Sequence, residues 1–363
     1  MPVIDALRGL ALAGIVWVNA AYFAAPWGLV ESRSGIDVVA NWATLAFATG
    51  KFFPLFSFLF GMGLGVAAAS DDVRADLRMR RRLAALMVCG ALHAILLFNG
   101  DILLLYGVVG CLVWRMRHAP DRTLVRRAIV AAAVGIVLQS LIMVPWEVTG
   151  VPSPTPGEDY LGGYIDTIGV RLRELPYVGL VLLSFNGGFA LASILLGVVV
   201  GRRGLPVTAG GGLIEPEGWR TLLGGGLVLS AGAAFGLVSE RAGFAVGLVS
   251  AIVWSVATPL VALGWFCGLW RLMVRWKDSK PVRALACVGS MSMSAYLGHS
   301  FLLGALYHGW GLGRQGVFGW AGVVLSAWCV FLLLLASSVL WRSRGAVGPA
   351  ERAMKTWVNR DFR

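Results

Sequence analysis

The stretch GFAVGLVSAIVWSVATPLVALGWFCGLW, residues 243–270, contains no Asp, Glu, Lys, Arg or His. A bilayer core about 30 Å thick is crossed by roughly 20 apolar residues in helical form, so this run is long enough to span it. Comparable runs recur on both sides, and spans are predicted near residues 5–27, 50–69, 83–99, 102–115, 128–146, 177–200, 221–239, 243–270, 284–307 and 317–341. The chain of 363 residues is 58% hydrophobic and only 14% charged, with a mean hydropathy of +0.76, whereas soluble domains are about 25% charged. Water is therefore not its main solvent. The expected fold is all-α, a polytopic transmembrane bundle of about ten helices in which residues 1–363 form one transmembrane domain. The 48 glycines suit that fold, because small residues let helices approach closely in lipid.

Lys and Arg set the expected orientation, since cytoplasmic loops carry an excess of them. They cluster in alternate loops, from Arg74 to Arg82, Arg115 to Arg127, Arg202 to Arg220 and Arg271 to Arg283, and in the tail from Arg342. Arg33, Lys51, Arg171, Arg173, Arg241 and Arg314 fall in the other loops. Both termini are thus expected to be cytoplasmic, with a basic tail at 342–363 and a non-cytoplasmic loop at 147–176. The net charge of +12 is read as topology signal and attraction to anionic lipid, not as a nucleic-acid footprint. The loop from Glu147 to Pro176 is too polar to span. An ordinary solvated loop is its simpler reading, and an amphipathic lid over the outer mouth the alternative. Residues 38–50 read as an interfacial helix or as the start of the second span. The first segment resembles a signal peptide in outline, but its length and its Asn19 and Tyr22 favour a retained helix. Cys89, Cys111, Cys267, Cys287 and Cys329 lie in apolar runs without metal-like spacing and read as packing residues.

Ionisable groups inside a span cost about 2.5 kcal/mol or more, so each marks a candidate site. On the first helix Asp5, Arg8, Leu12, Ile15, Asn19 and Tyr22 follow a three-four spacing and share a face expected to look into the bundle. Arg8 and Asn19 lie about 16 Å apart along that axis. The bland reading is an Asp5–Arg8 pair at the interface with Asn19 bonding a neighbouring helix. The functional one has Arg8 holding a phosphate or carboxylate while Asn19 orients a reactant. His93 is followed by Asn99-Gly100-Asp101, a turn signal with Asp101 where a helix cap belongs. A tight hairpin there also brings the Asp101 carboxylate to the His93 imidazole, as in a general base with its orienting acid. Tyr296 and His299, three apart within residues 289–300, share a face near mid-membrane. The serines around them read as helix packing, and His118 and His308, near helix ends, receive no role. The aromatic, glycine-dense segment 52–65 also reads as packing. No P-loop, HExxH, GxSxG or metal-spaced cluster occurs, so the sequence itself gives no support for an ATPase, a zinc enzyme or a serine hydrolase, and no tightly bound cofactor is expected.

Six stretches carry a family resemblance: DALRGLALAGIVWVNA (5–20), FFPLFSFLFGMGLG (52–65), LHAILLFNGDILLLYGVVG (92–110), LLGVVVGRRGL (195–205), SAYLGHS (294–300) and GPAERAMK (348–355). In this order they resemble the bacterial YeiB-like family, domain of unknown function 418. That family looks like a relative of the transmembrane acyltransferases, namely the acyltransferase-3 and heparan-glucosaminide acetyltransferase groups. The resemblance implies a multi-pass protein of the bacterial cytoplasmic (inner) membrane. It also implies acyl-CoA as co-substrate and a small-molecule or glycan acceptor bearing a hydroxyl or amine. Arg8 matches the first-helix arginine of those enzymes. Where the acyltransferase-3 pattern places a histidine eleven positions later, this chain has Asn19, so the base falls to His93 or His299. A transporter of a small metabolite or amphiphile is the alternative, with the same polar residues lining a path.

Overall fold

A computed structural model describes residues 2–69, 73–143, 160–204, 216–239 and 243–360. They are almost wholly helical, with no strand among the described residues. The order is α1 (Pro2–Ala24), α2 (Gly35–Ala43) with a π turn (Thr44–Ala48), α3 (Phe52–Ala68), α4 (Val73–Leu96), α5 (Leu103–Arg115) and α6 (Asp121–Ile142). Then come α7 (Tyr164–Leu182), which passes through a second π turn (Leu183–Gly187) into α8 (Gly188–Arg202), α9 (Pro216–Val238) and α10 (Phe244–Arg275). The chain closes with α11 (Lys280–Ser290), α12 (Ser292–Tyr307), α13 (Trp320–Ser343) and α14 (Pro349–Val358).

Seven helical segments among the described residues are long and apolar enough to cross a membrane. The remaining expected spans are shorter: α5, α12, and the apolar part of α4 that follows its arginine-rich first turns. The outer surface is greasy, with Val228, Phe235 and Leu325 all more than half exposed, as a lipid-facing wall requires. The protein is thus a multi-pass helical membrane protein whose surroundings are a bilayer.

Packing follows the glycines. In α3, Gly61 and Gly65 face Gly197 and Gly201 of α8, and a Cβ on any of the four would overlap a backbone carbonyl across the crossing. Both pairs have the spacing that lets two transmembrane backbones touch. The aromatics of 52–65 fill the space behind. Phe53, Phe56 and Phe60 stack on Tyr106 of α5 at centroid distances of 5.6, 5.9 and 5.4 Å.

Four expectations are corrected. Of the two readings of residues 38–50 the start of the second span is the one found, since that span begins at Gly35, but Lys51 is not in a loop. It is fully buried at a break inside that span, where Thr49 is extended and Gly50 has φ +78°. The loop ending near 176 ends sooner, because α7 starts at Tyr164 and carries Pro176 within it; residues 144–159 lie outside the described residues. The expected span 284–307 is two helices parted at Met291. On the α1 face, Leu12 and Ile15 are buried, but Tyr22 is 46% exposed.

Candidate functional site

The polar cluster is built where α1, α4, the α4–α5 turn and α12 meet. α4 ends at Leu96, and the Asn99-Gly100 turn reverses the chain into α5. Asp101 then does two things at once. Its Oδ2 accepts from the Leu104 backbone N–H at 2.6 Å, capping α5, and its Oδ1 lies 2.8 Å from His93 Nδ1. Gly90 permits this approach, since a Cβ there would overlap the Leu104 nitrogen. The His93 and Asp101 side chains are 0% and 2% exposed.

A carboxylate beside Nδ1 places the His93 proton on that nitrogen. Nε2 is left as an acceptor, and Ser300 Oγ donates to it at 2.9 Å. His299 is oriented separately. Its Nδ1 donates to the Tyr296 carbonyl oxygen, so its Nε2 accepts from Asn19 Nδ2 at 3.2 Å. Ser300 Oγ is 3.5 Å from that same Nε2 and so sits between the two imidazoles. Tyr296 closes one side, its ring centroid 4.9 Å from each histidine and its hydroxyl accepting from the Ile102 backbone N–H at 3.3 Å. His299 and Ser300 are fully buried. This cluster can accept a proton from a hydroxyl and hold the resulting imidazolium against a carboxylate.

Of the residues expected from sequence, the structure brings together His93, Asp101, His299, Asn19 and Tyr296. Asp5 and Arg8 lie apart from them, near the other end of α1. Arg8 Nη1 donates to Asp5 Oδ1 at 3.1 Å, with the Arg8 side chain 29% exposed. A second guanidinium is close: burial first, and then the Arg8 charge, lower the proton affinity of Arg82 at the mouth of α4. Two cations held near one another are suited to an anion.

Sequence reasoning missed Ser300 and Lys51. Lys51 Nζ donates to the Leu45 carbonyl at 2.8 Å and stands 3.8 Å from the Trp254 ring centroid, while Trp254 Nε1 donates to the same carbonyl at 2.9 Å. An ammonium there satisfies the open C-terminal end of a half-helix.

At the end of the bundle beyond His93, α7 packs over the end of α4, with the Tyr164 hydroxyl donating to Leu96 O at 3.0 Å. Arg171, 1% exposed, donates to Leu96 O at 3.0 Å and to His308 Nδ1 at 3.3 Å. Glu174 accepts from Asn99 Nδ2 and from Tyr160 Oη, each at 2.7 Å. Burial, and then the Arg171 charge, push the His308 imidazole down to about 3. His308, given no role from sequence, is thus a neutral pin in this packing.

A buried imidazole–carboxylate pair inside an all-helical, multi-pass bundle defines the class: a polytopic membrane protein with an intramembrane polar site. Residues 214–361 match the family described as protein of unknown function (DUF418). Relatives extend the match to nearly the whole chain. The uncharacterized protein YeiB of Escherichia coli (strain K12) is 27% identical over 96% of this chain and 93% of its own length. The uncharacterized protein YxaH of Bacillus subtilis (strain 168) is 27% identical over 96% and 92%. An uncharacterized 39.9 kDa protein from the amylase 3' region of Bacillus acidopullulyticus is 32% identical over 30% of this chain and 32% of its own. No solved structure matches. The chain is thus similar to the DUF418 family over residues 214–361 and to YeiB and YxaH over nearly its whole length.

Proposed function

We propose that this protein is an integral membrane acyltransferase that moves an acyl group, acetyl in the simplest case, from cytoplasmic acyl-CoA to a hydroxyl or amine acceptor at or across the bacterial inner membrane. The observation that carries the reading is His93, whose Nδ1 is held by Asp101 and whose Nε2, facing the Ser300 hydroxyl, is placed to take a proton in a buried site. Asp101 acts as a positioning residue that fixes the tautomer. Asn19, His299 and Tyr296 form the wall against which donor and acceptor are oriented. Arg8 and Arg82 are suited to the CoA phosphates at the basic mouth, where charge-assisted hydrogen bonds are strong. The rise of about 16 Å from Arg8 to Asn19 is a distance an extended pantetheine arm covers.

The test is acyl-CoA binding and turnover by the detergent-purified protein, following bound label and released CoA with labelled acetyl-CoA and longer chains. Specific binding that Arg8→Ala abolishes is expected. Absence of binding at every chain length overturns the reading.

One observation favours a second reading, transport of a small metabolite or amphiphile. The span from Gly35 to Ala68 is broken at 49–51 beside the buried Lys51, and broken helices with intramembrane charge are a feature of transporter binding sites. Counter-flow in proteoliposomes separates the two, since transport needs no consumption of acyl-CoA.

A further inference from the structure

Helical serines in lipid usually bond back to the carbonyl four residues earlier. Ser57 donates to Phe53 O at 2.9 Å and Ser140 to Ile136 O at 2.7 Å in this way. Ser300 departs from them. Its Oγ is 3.4 Å from Tyr296 O, a carbonyl it shares with His299 Nδ1, but 2.9 Å from His93 Nε2. The hydroxyl therefore leans across an interhelical gap to a base. That base is oriented at its far nitrogen by Asp101, whose other oxygen is fixed by the Leu104 N–H. Hydroxyl, imidazole and carboxylate come from α12, α4 and the α4–α5 turn, and they stand in the order that activates a serine.

We propose that Ser300 is a nucleophile that carries the acyl group as a serine ester, so that transfer runs in two half-reactions through a covalent intermediate. The proposal rests on the acyl-transfer reading above. In the first half, His93 Nε2 takes the Oγ proton as Oγ bonds to the thioester carbonyl carbon. The C–S bond breaks, and the departing sulfur receives that proton, giving the ester and free CoA thiol. In the second half, the acceptor hydroxyl or amine gives a proton to His93 Nε2 as it attacks the ester carbonyl. Ser300 Oγ leaves and regains the proton. Asp101 stays ionised throughout and holds the imidazolium.

The experiment uses the full-length purified protein and two probes. An alkynyl fluorophosphonate reports an activated serine whatever the natural donor is, and labelled acetyl-CoA, quenched without acceptor, reports the ester. Peptide mass spectrometry locates each. Both labels are expected on Ser300. Ser300→Ala is expected to abolish them and His93→Gln to lower the rate of labelling by about 100-fold or more, with unchanged gel-filtration profiles. Ser300→Cys, close in size, is expected to trap a thioester at the same position. If wild type and Ser300→Ala release CoA equally and residue 300 stays unlabelled, the acyl-serine falls while acyl transfer stands. If the fluorophosphonate labels Ser300 but no acyl-CoA is consumed, the acyl-CoA reading falls while the activated serine stands. No label and no turnover removes both.

Discussion

Asp101 carries a fold role on one oxygen and a site role on the other, and a single substitution can divide them. In Asp101→Asn the amide oxygen can keep accepting from the Leu104 N–H, now 2.6 Å from the carboxylate, which leaves the amide nitrogen facing His93 Nδ1. That nitrogen only donates, so the ring must move its proton to Nε2. Nε2 then can no longer accept from Ser300. The expected outcome is a kcat lowered by about 10²–10⁴-fold, with KM for the donor and the melting temperature nearly unchanged; equal losses in stability and rate would assign Asp101 a structural role alone. Lys51 gives the opposite case. The Leu45 carbonyl that it holds also accepts from Trp254 Nε1, so Lys51→Met leaves that carbonyl satisfied and replaces a buried ammonium by a side chain of similar volume. Such exchanges are often neutral or stabilising. Lys51→Met is expected to retain fold and detergent monodispersity, whereas Lys51→Glu is expected not to assemble, as fluorescence-detected gel filtration would show.

At the scale of elements, the short tail helix α14 is tied to the site it lies far from in sequence. Glu351 Oε1 accepts from the backbone N–H groups of Met293 at 2.8 Å and Ser294 at 3.1 Å, and its Oε2 from the Ser294 hydroxyl. A carboxylate thus caps the first turn of α12, where open N–H groups and the helix dipole favour negative charge. Removing a cap costs about 1 kcal/mol, so Glu351→Ala is expected to free α14 and let α12 fray at Ser292. Limited proteolysis from the C-terminus, faster in the variant, is the measurement. Much of the element layout was legible beforehand, because apolar runs of bilayer length announce helices whatever they pack against. The His93–Asp101 pair was legible for a similar reason: its partners are 8 residues apart across a tight turn. Ser300 was not, since its partner His93 is 207 residues away and a helical serine has a local carbonyl as its default. Lys51 looked like a loop boundary, because an ammonium in an apolar run normally marks one. Only Trp254 and Leu45, brought to it by folding, reveal it as interior. The Glu351 cap, reaching 57 residues back, leaves no local pattern either.

For the whole molecule, the alternation of basic loops corresponds to two chemically different ends. Arg117 pairs with Asp76 at 3.0 Å, Arg203 with Asp121 at 2.8 Å, and Glu351 seats at the start of α12, so the basic connections and the tail gather at the end that carries Asp5 and Arg8. The other end holds α7, with Arg33 donating to Gly316 O at 2.6 Å and Gly309 N–H to Tyr160 O at 2.8 Å. Because Lys and Arg are retained on the cytoplasmic side, the basic end is expected to face the cytoplasm, and the proposed function depends on it: only from there could Arg8 and Arg82 meet acyl-CoA. Two exposed positions test this in a chain freed of its five cysteines, Arg314→Cys at the α7 end and Arg360→Cys in the tail. In right-side-out membrane vesicles an impermeant maleimide is expected to label Arg314→Cys at once and Arg360→Cys only after permeabilisation. The reverse pattern would put the proposed phosphate-binding mouth on the side without acyl-CoA. Acyl transfer from that donor would then be untenable, while a transport path open to both sides would survive.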